Sequence, residues 1–327
     1  MARTAAVVSF ASLGLIVLPL LALAQPTGAP GIGFLSPASA ASMAPRVEAL
    51  RRGLRELSYR ENQDLVIHFR WAEGKEERLA DLAAELLRLK PKLVMVHGVN
   101  AAKAVQRASS SIPIVCFACG DVLGTRLVAS LSRPGGNITG ISVMQPEVSG
   151  KRLELLKDLV PGLNRVAVLL NSTNPVAVPE LRETEQAARS LGLQIQTFGV
   201  ADASELQSAF SAMARAHAQA LIVLSDAMFF GRRQQISQLA AAHKLPAISW
   251  SGEFARAGSL IGYGPDVLAI AHRSAYYVDR ILRGAKPAEL PIEQPTKFEL
   301  VINLKTGREL GVTVPQSLVV RADAVVQ

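Results

Sequence analysis

Leu93-Val-Met-Val-His97-Gly98, a helical stretch from Asn100, and Ile112-Pro113-Ile-Val115 read as strand, helix and a second strand opened by x-Pro. The same arrangement returns at Ala220-Leu-Ile-Val-Leu-Ser225-Asp226, a helix near Arg232 to His243, and Leu245-Pro246-Ala-Ile248. An apolar strand that ends at small or polar residues, written twice, implies two similar strand-helix-strand halves. Outward from these units the β-α alternation continues. Strands are predicted at Ile32–Leu35, Leu65–Trp71, Leu93–His97, Ile112–Phe117 and Ile138–Val143. Others follow at Val166–Asn171, Leu193–Phe198, Leu221–Ser225, Ala247–Trp250, Leu260–Tyr263 and Phe298–Ile302. Between them Met43, Val47, Leu50, Leu54 and Leu57 recur at alternating spacings of four and three, one apolar helical stripe. Apolar strands alternating with such helices predict an α/β fold, with mostly parallel sheets covered on both faces.

The N-terminus reads as an export signal. Arg3 gives a short basic region, Ala5 to Leu23 is almost wholly apolar, and Ala22-Leu23-Ala24 has the small-x-small pattern that precedes cleavage. A signal peptide of residues 1–24, cut before Gln25, is expected. The competing reading is an uncleaved anchor, since the run is long enough to span a bilayer; Pro19 and the cleavage pattern weigh against it. The mature chain of about 300 residues suits two domains. Lys plus Arg exceeds Asp plus Glu by 8, and loss of Arg3 leaves 7. Those charges are scattered, as at Arg51-Arg52 and Arg232-Arg233, which reads as a solvated face rather than a nucleic-acid surface.

Cys116 and Cys119, in Cys-Phe-Ala-Cys, are the only cysteines. A redox C-x-x-C opens a helix, whereas this pair closes a strand. A structural zinc site needs four ligands, and no second pair exists. Strand alternation puts residues three apart on opposite faces, which disfavours a disulfide unless the strand ends between them. Two small buried apolar side chains are the expectation.

Ligands of doubly wound sheets sit beyond the carboxyl ends of the strands. The residues there are Ser36, Gly98, Asn100 and Asp121 in the first half. In the second they are Asn171, Asp226, Phe229, Trp250 and Glu253. Small polar residues with a few aromatics suit a small polar or zwitterionic ligand. Asp121, Asp226 and Glu253 offer charge to an ammonium, while Ser36, Gly98 and Asn100 offer donors to a carboxylate. The competing reading is that each Asn, Asp or Ser merely caps the next helix. Gly31-Ile-Gly33 lacks the third glycine of a dinucleotide fingerprint, and no phosphate loop or nucleophile elbow occurs. The histidines, at 68, 97, 217, 243 and 272, include no i,i+4 pair. No catalytic residue, metal or cofactor is expected.

Several blocks resemble the ABC transporter substrate-binding proteins of the uncharacterised, tryptophan/tyrosine-binding-like type. They are Arg70-Trp71-Ala-Glu73-Gly74, Arg133-Pro134-Gly135-Gly136-Asn137-Ile-Thr139-Gly140 and Lys151-Arg152-Leu-Glu154-Leu-Leu156, then Ala257-Gly258 to Tyr263-Gly264 and Pro295-Thr-Lys297-Phe-Glu299 to Thr306. The resemblance runs from Gly31 to the end. It implies the type I periplasmic-binding-protein architecture, two Rossmann-like lobes with parallel sheets joined by three hinge crossings. Residues 29–140 plus 258–288 would form lobe 1, and 141–257 plus 289–327 lobe 2. The crossings would lie at Pro134-Gly135-Gly136, Gly258 to Gly264 and Ala288 to Pro295. By motif the family's ligand contacts match Ser36, Gly98 and Asp121. Here Val122 replaces a frequent Pro after that Asp, and His97-Gly98-Val99-Asn100 stands where relatives carry small hydroxyl residues.

The resemblance implies a monomeric periplasmic solute-binding protein delivering an amino acid or related carboxylate to an ABC permease. It implies no chemistry on the ligand and no nucleic-acid partner. A periplasmic module feeding a sensor kinase is not excluded by any residue. An exported α/β enzyme is opposed by the lack of a nucleophile or metal motif.

Overall fold

The strands form where branched and leucine side chains can be buried on both faces; every residue of Leu93–His97 and of Ile114–Cys119 is buried. The structure, a computed structural model, describes residues 28–143 and 147–327, so the expected export segment 1–24 lies outside the described residues. In the first lobe β1 (Gly31–Ser36) leads to α1 (Ala40–Glu56), β2 (Val66–Trp71), α2 (Leu79–Arg88), β3 (Leu93–His97), α3 (Val99–Ala108), β4 (Ile114–Cys119) and β5 (Ile138–Ser142). Its sheet runs β2-β1-β3-β4-β5, parallel throughout.

The second lobe opens with α4 (Glu147–Leu159), β6 (Arg165–Asn171), α5 (Ala177–Leu191), β7 (Gln194–Val200), α6 (Leu206–Arg215) and β8 (Ala220–Val223). It continues with α7 (Ala227–Gly231), α8 (Arg233–Ala242), β9 (Ala247–Ser249), α9 (Gly252–Arg256) and β10 (Ile261–Pro265). Then α10 (Val267–Leu282) returns to the first lobe, and β11 (Phe298–Asn303), α11 (Leu304–Leu310), α12 (Gln316–Arg321) and β12 (Ala324–Val326) finish the second. This sheet runs β12-β11-β10-β9-β8-β6-β7, with only the β10–β11 pair antiparallel among the described strands.

The predicted helical stripe holds. Met43, Val47, Leu50 and Leu54 are buried along α1, whose start is capped by Ser39 accepting from the Ser42 amide. The helix lies close against α10: a Cβ on Gly53 would stand 2.5 Å from the His272 carbonyl oxygen. That contact fixes α10 in the first lobe although it follows ten strands.

Three crossings join the lobes: between β5 and α4, at Pro265–Asp266, and through Glu293–Lys297. Two expected positions are corrected. Pro134-Gly135-Gly136 break the chain without leaving the lobe, because β5 still pairs with β4, Ile114 opposite Ile138. The stretch 258–265 stays with the second lobe, because β10 pairs with β9 and β11. Placing all of 258–288 in lobe 1 is therefore wrong for its first residues.

The cysteines are also corrected. Cys116 and Cys119 form a disulfide, with Cα atoms 5.5 Å apart. Ala118 adopts a left-handed φ of +51°, and the β4–β5 register shifts between the two cysteines. This bulge resets the alternation that would have sent the side chains to opposite faces.

Candidate functional site

In each sheet the first strand is flanked by the strands that follow it in sequence. The order β2-β1-β3 makes one switch point and β7-β6-β8 the other, so the loops after β1, β3, β6 and β8 diverge to leave a crevice. The two crevices face one another. Between them lies a cavity of about 40 Å³, lined by His97, Gly98, Val99, Ala118, Gly120 and Val143 from the first lobe. Asn174, Val176, Ser225, Asp226, Ala227 and Trp250 line it from the second. Open grooves of about 680 and 600 Å³ flank it on the surface. This inner cavity is the candidate site, because buried polar groups converge around it. Gly98 starts α3 with φ +84°, and a Cβ on it would come within 3.5 Å of Ala227 across the cleft.

One flank is rich in donors. Arg46, on α1, is fully buried between the lobes with its guanidinium carbon 3.3 Å from the Phe230 ring centroid. Its Nη1 donates to His97 Nε2 at 3.2 Å, and its Nη2 to Glu253 Oε2 of the second lobe at 3.3 Å. Burial lowers the Arg46 pKa to about 10, and Glu253 works against that shift. Because His97 Nε2 accepts, the imidazole proton sits on Nδ1 and donates to Ser36 Oγ at 3.1 Å. Burial and the neighbouring Arg46 hold the His97 pKa well below its ordinary value, so the ring stays neutral. Two buried donors have no acceptor among the described residues: Arg46 Nε and Trp250 Nε1. Trp250 is 4 % exposed and lines the cavity.

The other flank is rich in acceptors. Asp226 caps α7, its Oδ1 accepting from the Phe229 amide at 2.9 Å. Its Oδ2 accepts from Asn171 Nδ2 at 3.0 Å and from Asn174 Nδ2 at 2.9 Å. Burial raises its pKa in spite of these bonds. The loop carrying it is braced from behind. Buried Glu180 accepts from the Ser225 amide and hydroxyl at 2.9 and 3.0 Å, and is itself neutralised by Arg152 at 3.0 Å. Glu76, from the turn before α2, reaches across to Asn171 at 3.3 Å and Thr173 at 3.2 Å, and accepts from Asn100. Burial, then Asp226, push its pKa up to about 7.

Of the residues expected from sequence, Gly98, Asp226 and Trp250 line the cavity. Ser36 supports it through His97, and Asn171 and Asn100 through the carboxylates. Three do not join it. Asp121 Oδ1 accepts from the Gly124 amide at 2.7 Å, a turn contact, and Gly120 takes the wall instead. Phe229 is wholly buried in the core, and its neighbour Phe230 faces Arg46 and His97. Glu253 is committed to Arg46. Arg46, Glu76 and Glu180 were not singled out from the sequence. The only signal for them was the position of Arg46 between the buried Met43 and Val47.

A family model described as ABC transporter substrate binding protein matches residues 31–326. A curated relative, the tyrosine-binding protein of Clostridioides difficile, is 23% identical over 81% of this chain and 77% of its own length. Among solved structures, an ABC domain from Streptococcus pneumoniae in complex with L-Trp is 26% identical. It covers 91% of this chain and 100% of its own, with a TM-score of 0.85. A ligand-free, open substrate-binding protein with adhesive properties from Clostridium difficile is 20% identical, covering 91% of this chain and 99% of its own, with a TM-score of 0.64. The fold of these two lobes is that of the type I periplasmic binding proteins.

Proposed function

The chain belongs to the ABC transporter substrate-binding protein family, and from that premise we propose that it captures an aromatic amino acid between its lobes. It acts outside the cytoplasm as the substrate-binding component of an ABC transporter, whose permease receives the ligand. One observation supports the zwitterion most directly: Asp226, a buried carboxylate with no cationic partner within 4.0 Å among the described residues, lines the cavity between the lobes beside Trp250. Asp226 brings an acceptor for an ammonium there, with Val99, Val143 and Val176 as apolar walls. A curated relative named for tyrosine and a solved relative holding L-Trp support the aromatic side chain. A cavity of about 40 Å³ is far below the several hundred Å³ of a filled ligand site, so the lobes part to admit the ligand.

On this reading residues 1–24 are an export signal removed before Gln25, the mature protein is a monomer that binds no nucleic acid, and the ligand leaves unaltered. The test is calorimetry of the mature protein against each amino acid, with mass spectrometry of any molecule that co-purifies. Micromolar or tighter binding of an aromatic amino acid is expected. Folded protein that binds no amino acid overturns the reading.

A further inference from the structure

Glu76 belongs to the first lobe and accepts from Asn100 there, but its other two hydrogen bonds come from Asn171 and Thr173 of the second. One amide nitrogen, Asn171 Nδ2, donates to Glu76 Oε1 at 3.3 Å and to Asp226 Oδ2 at 3.0 Å, so two carboxylates from opposite lobes converge on a single neutral donor group. Neither has a cationic partner within 4.0 Å among the described residues, whereas Glu253 and Glu180 in the same cleft each have an arginine. Glu77 on the same turn, and Lys103 and Arg107 on α3, line the groove outside Glu76. Asp226 also borders the cavity between the lobes, which Trp250 lines with it.

We propose that Glu76 and Asp226 together form the ammonium subsite, one carboxylate from each lobe closing on the cationic end of the ligand. This rests on the amino-acid reading above and deepens it. Two converging carboxylates with no counter-charge are stable only if a positive charge joins them or one takes a proton. In the closed, ligand-free protein the second alternative is favoured, since burial, then Asp226, push the Glu76 pKa up to about 7. An arriving ammonium takes over that role. The proton leaves the carboxyl for the buffer, and the charge in the subsite is conserved. Glu76 thereby senses closure as well as ligand: with the lobes apart it loses Asn171 and Thr173 and returns to water.

The experiment uses the full mature chain and three probes: L-tyrosine, tyramine, which lacks the carboxylate, and 3-(4-hydroxyphenyl)propionate, which lacks the amine. Calorimetry at pH 6 in two buffers of different ionisation enthalpy counts protons. Release of a substantial fraction of one proton with L-tyrosine is expected, fading by pH 9. Glu76→Gln should abolish the release and weaken L-tyrosine at least tenfold at pH 8, with an unchanged melting temperature. Asp226→Asn, which keeps a capping oxygen, should act likewise. Unchanged tyrosine affinity in both variants, or equal binding of the deaminated acid, overturns the subsite while the transport reading stands. If none of the probes binds, the transport reading fails for this ligand class. The pair is then judged in ligand-free protein: a carboxyl ionisation near pH 7, lost in Glu76→Gln, upholds the shared proton, and its absence overturns the proposal.

Discussion

Arg46 shows what a single residue contributes when two lobes shut on it. Its guanidinium is wholly buried, and its charge is met by Glu253, whose side chain is 12 % exposed, and by the face of Phe230. The two partners are therefore unequal. Glu253→Gln strands a buried cation and should cost about 3 kcal/mol, the lower end for breaking a buried pair, since His97 and Phe230 remain. Arg46→Met leaves Glu253 free to meet water and fills most of the volume, so stability in urea should change by less than half as much. Equal losses would mean that packing, not charge, dominates the contact. Ser36, Gly98, Asp226 and Trp250 were legible in the sequence because each follows a strand whose end could be read. Arg46 and Glu76 were not, because both look like solvated helix or turn residues until the opposite lobe removes the water.

At the scale of elements, the β4 bulge matters most. Ala118 holds a left-handed backbone that a non-glycine residue adopts at some cost, and it forms part of the cavity wall. The Cys116–Cys119 disulfide spans that residue and pins the distortion. Closing so short a loop contributes about 2 kcal/mol through the unfolded chain. A Cys116→Ala, Cys119→Ala variant should therefore unfold at lower urea than the oxidised protein, and reductant should bring the wild type down towards it. Ligand affinity should fall as well, because the wall at Ala118 relaxes. Unchanged affinity would separate the bulge from the site. The strands themselves were readable from apolar runs, but β12 was not, since three residues carry no periodicity. The bulge escaped too, because nothing in Cys-Phe-Ala-Cys marks Ala118 as left-handed. The first crossing was misplaced because Pro134-Gly135-Gly136 signals a break in the chain, not a change of sheet.

For the whole molecule, the three crossings at the β5–α4 junction, Pro265–Asp266 and Glu293–Lys297 permit opening and closing while restraining other motions. The contacts across the cleft make the equilibrium depend on pH. Glu76 moves from an ordinary value of 4.5 to about 7 when enclosed, so the closed form binds more protons than the open one between those values. Closure without ligand should weaken as pH rises through that window and level off above it. Small-angle scattering of ligand-free protein should show a smaller radius of gyration at pH 5 than at pH 8, and saturating ligand should restore the compact form at pH 8. A radius independent of both pH and ligand would exclude the closing clamp. A cleft that shuts on its own side chains also sets a kinetic gate. Where closure precedes capture, binding cannot outrun the opening step however often ligand collides with the surface, so the observed on-rate should level off at high ligand at a value set by the Arg46 and Glu76 contacts.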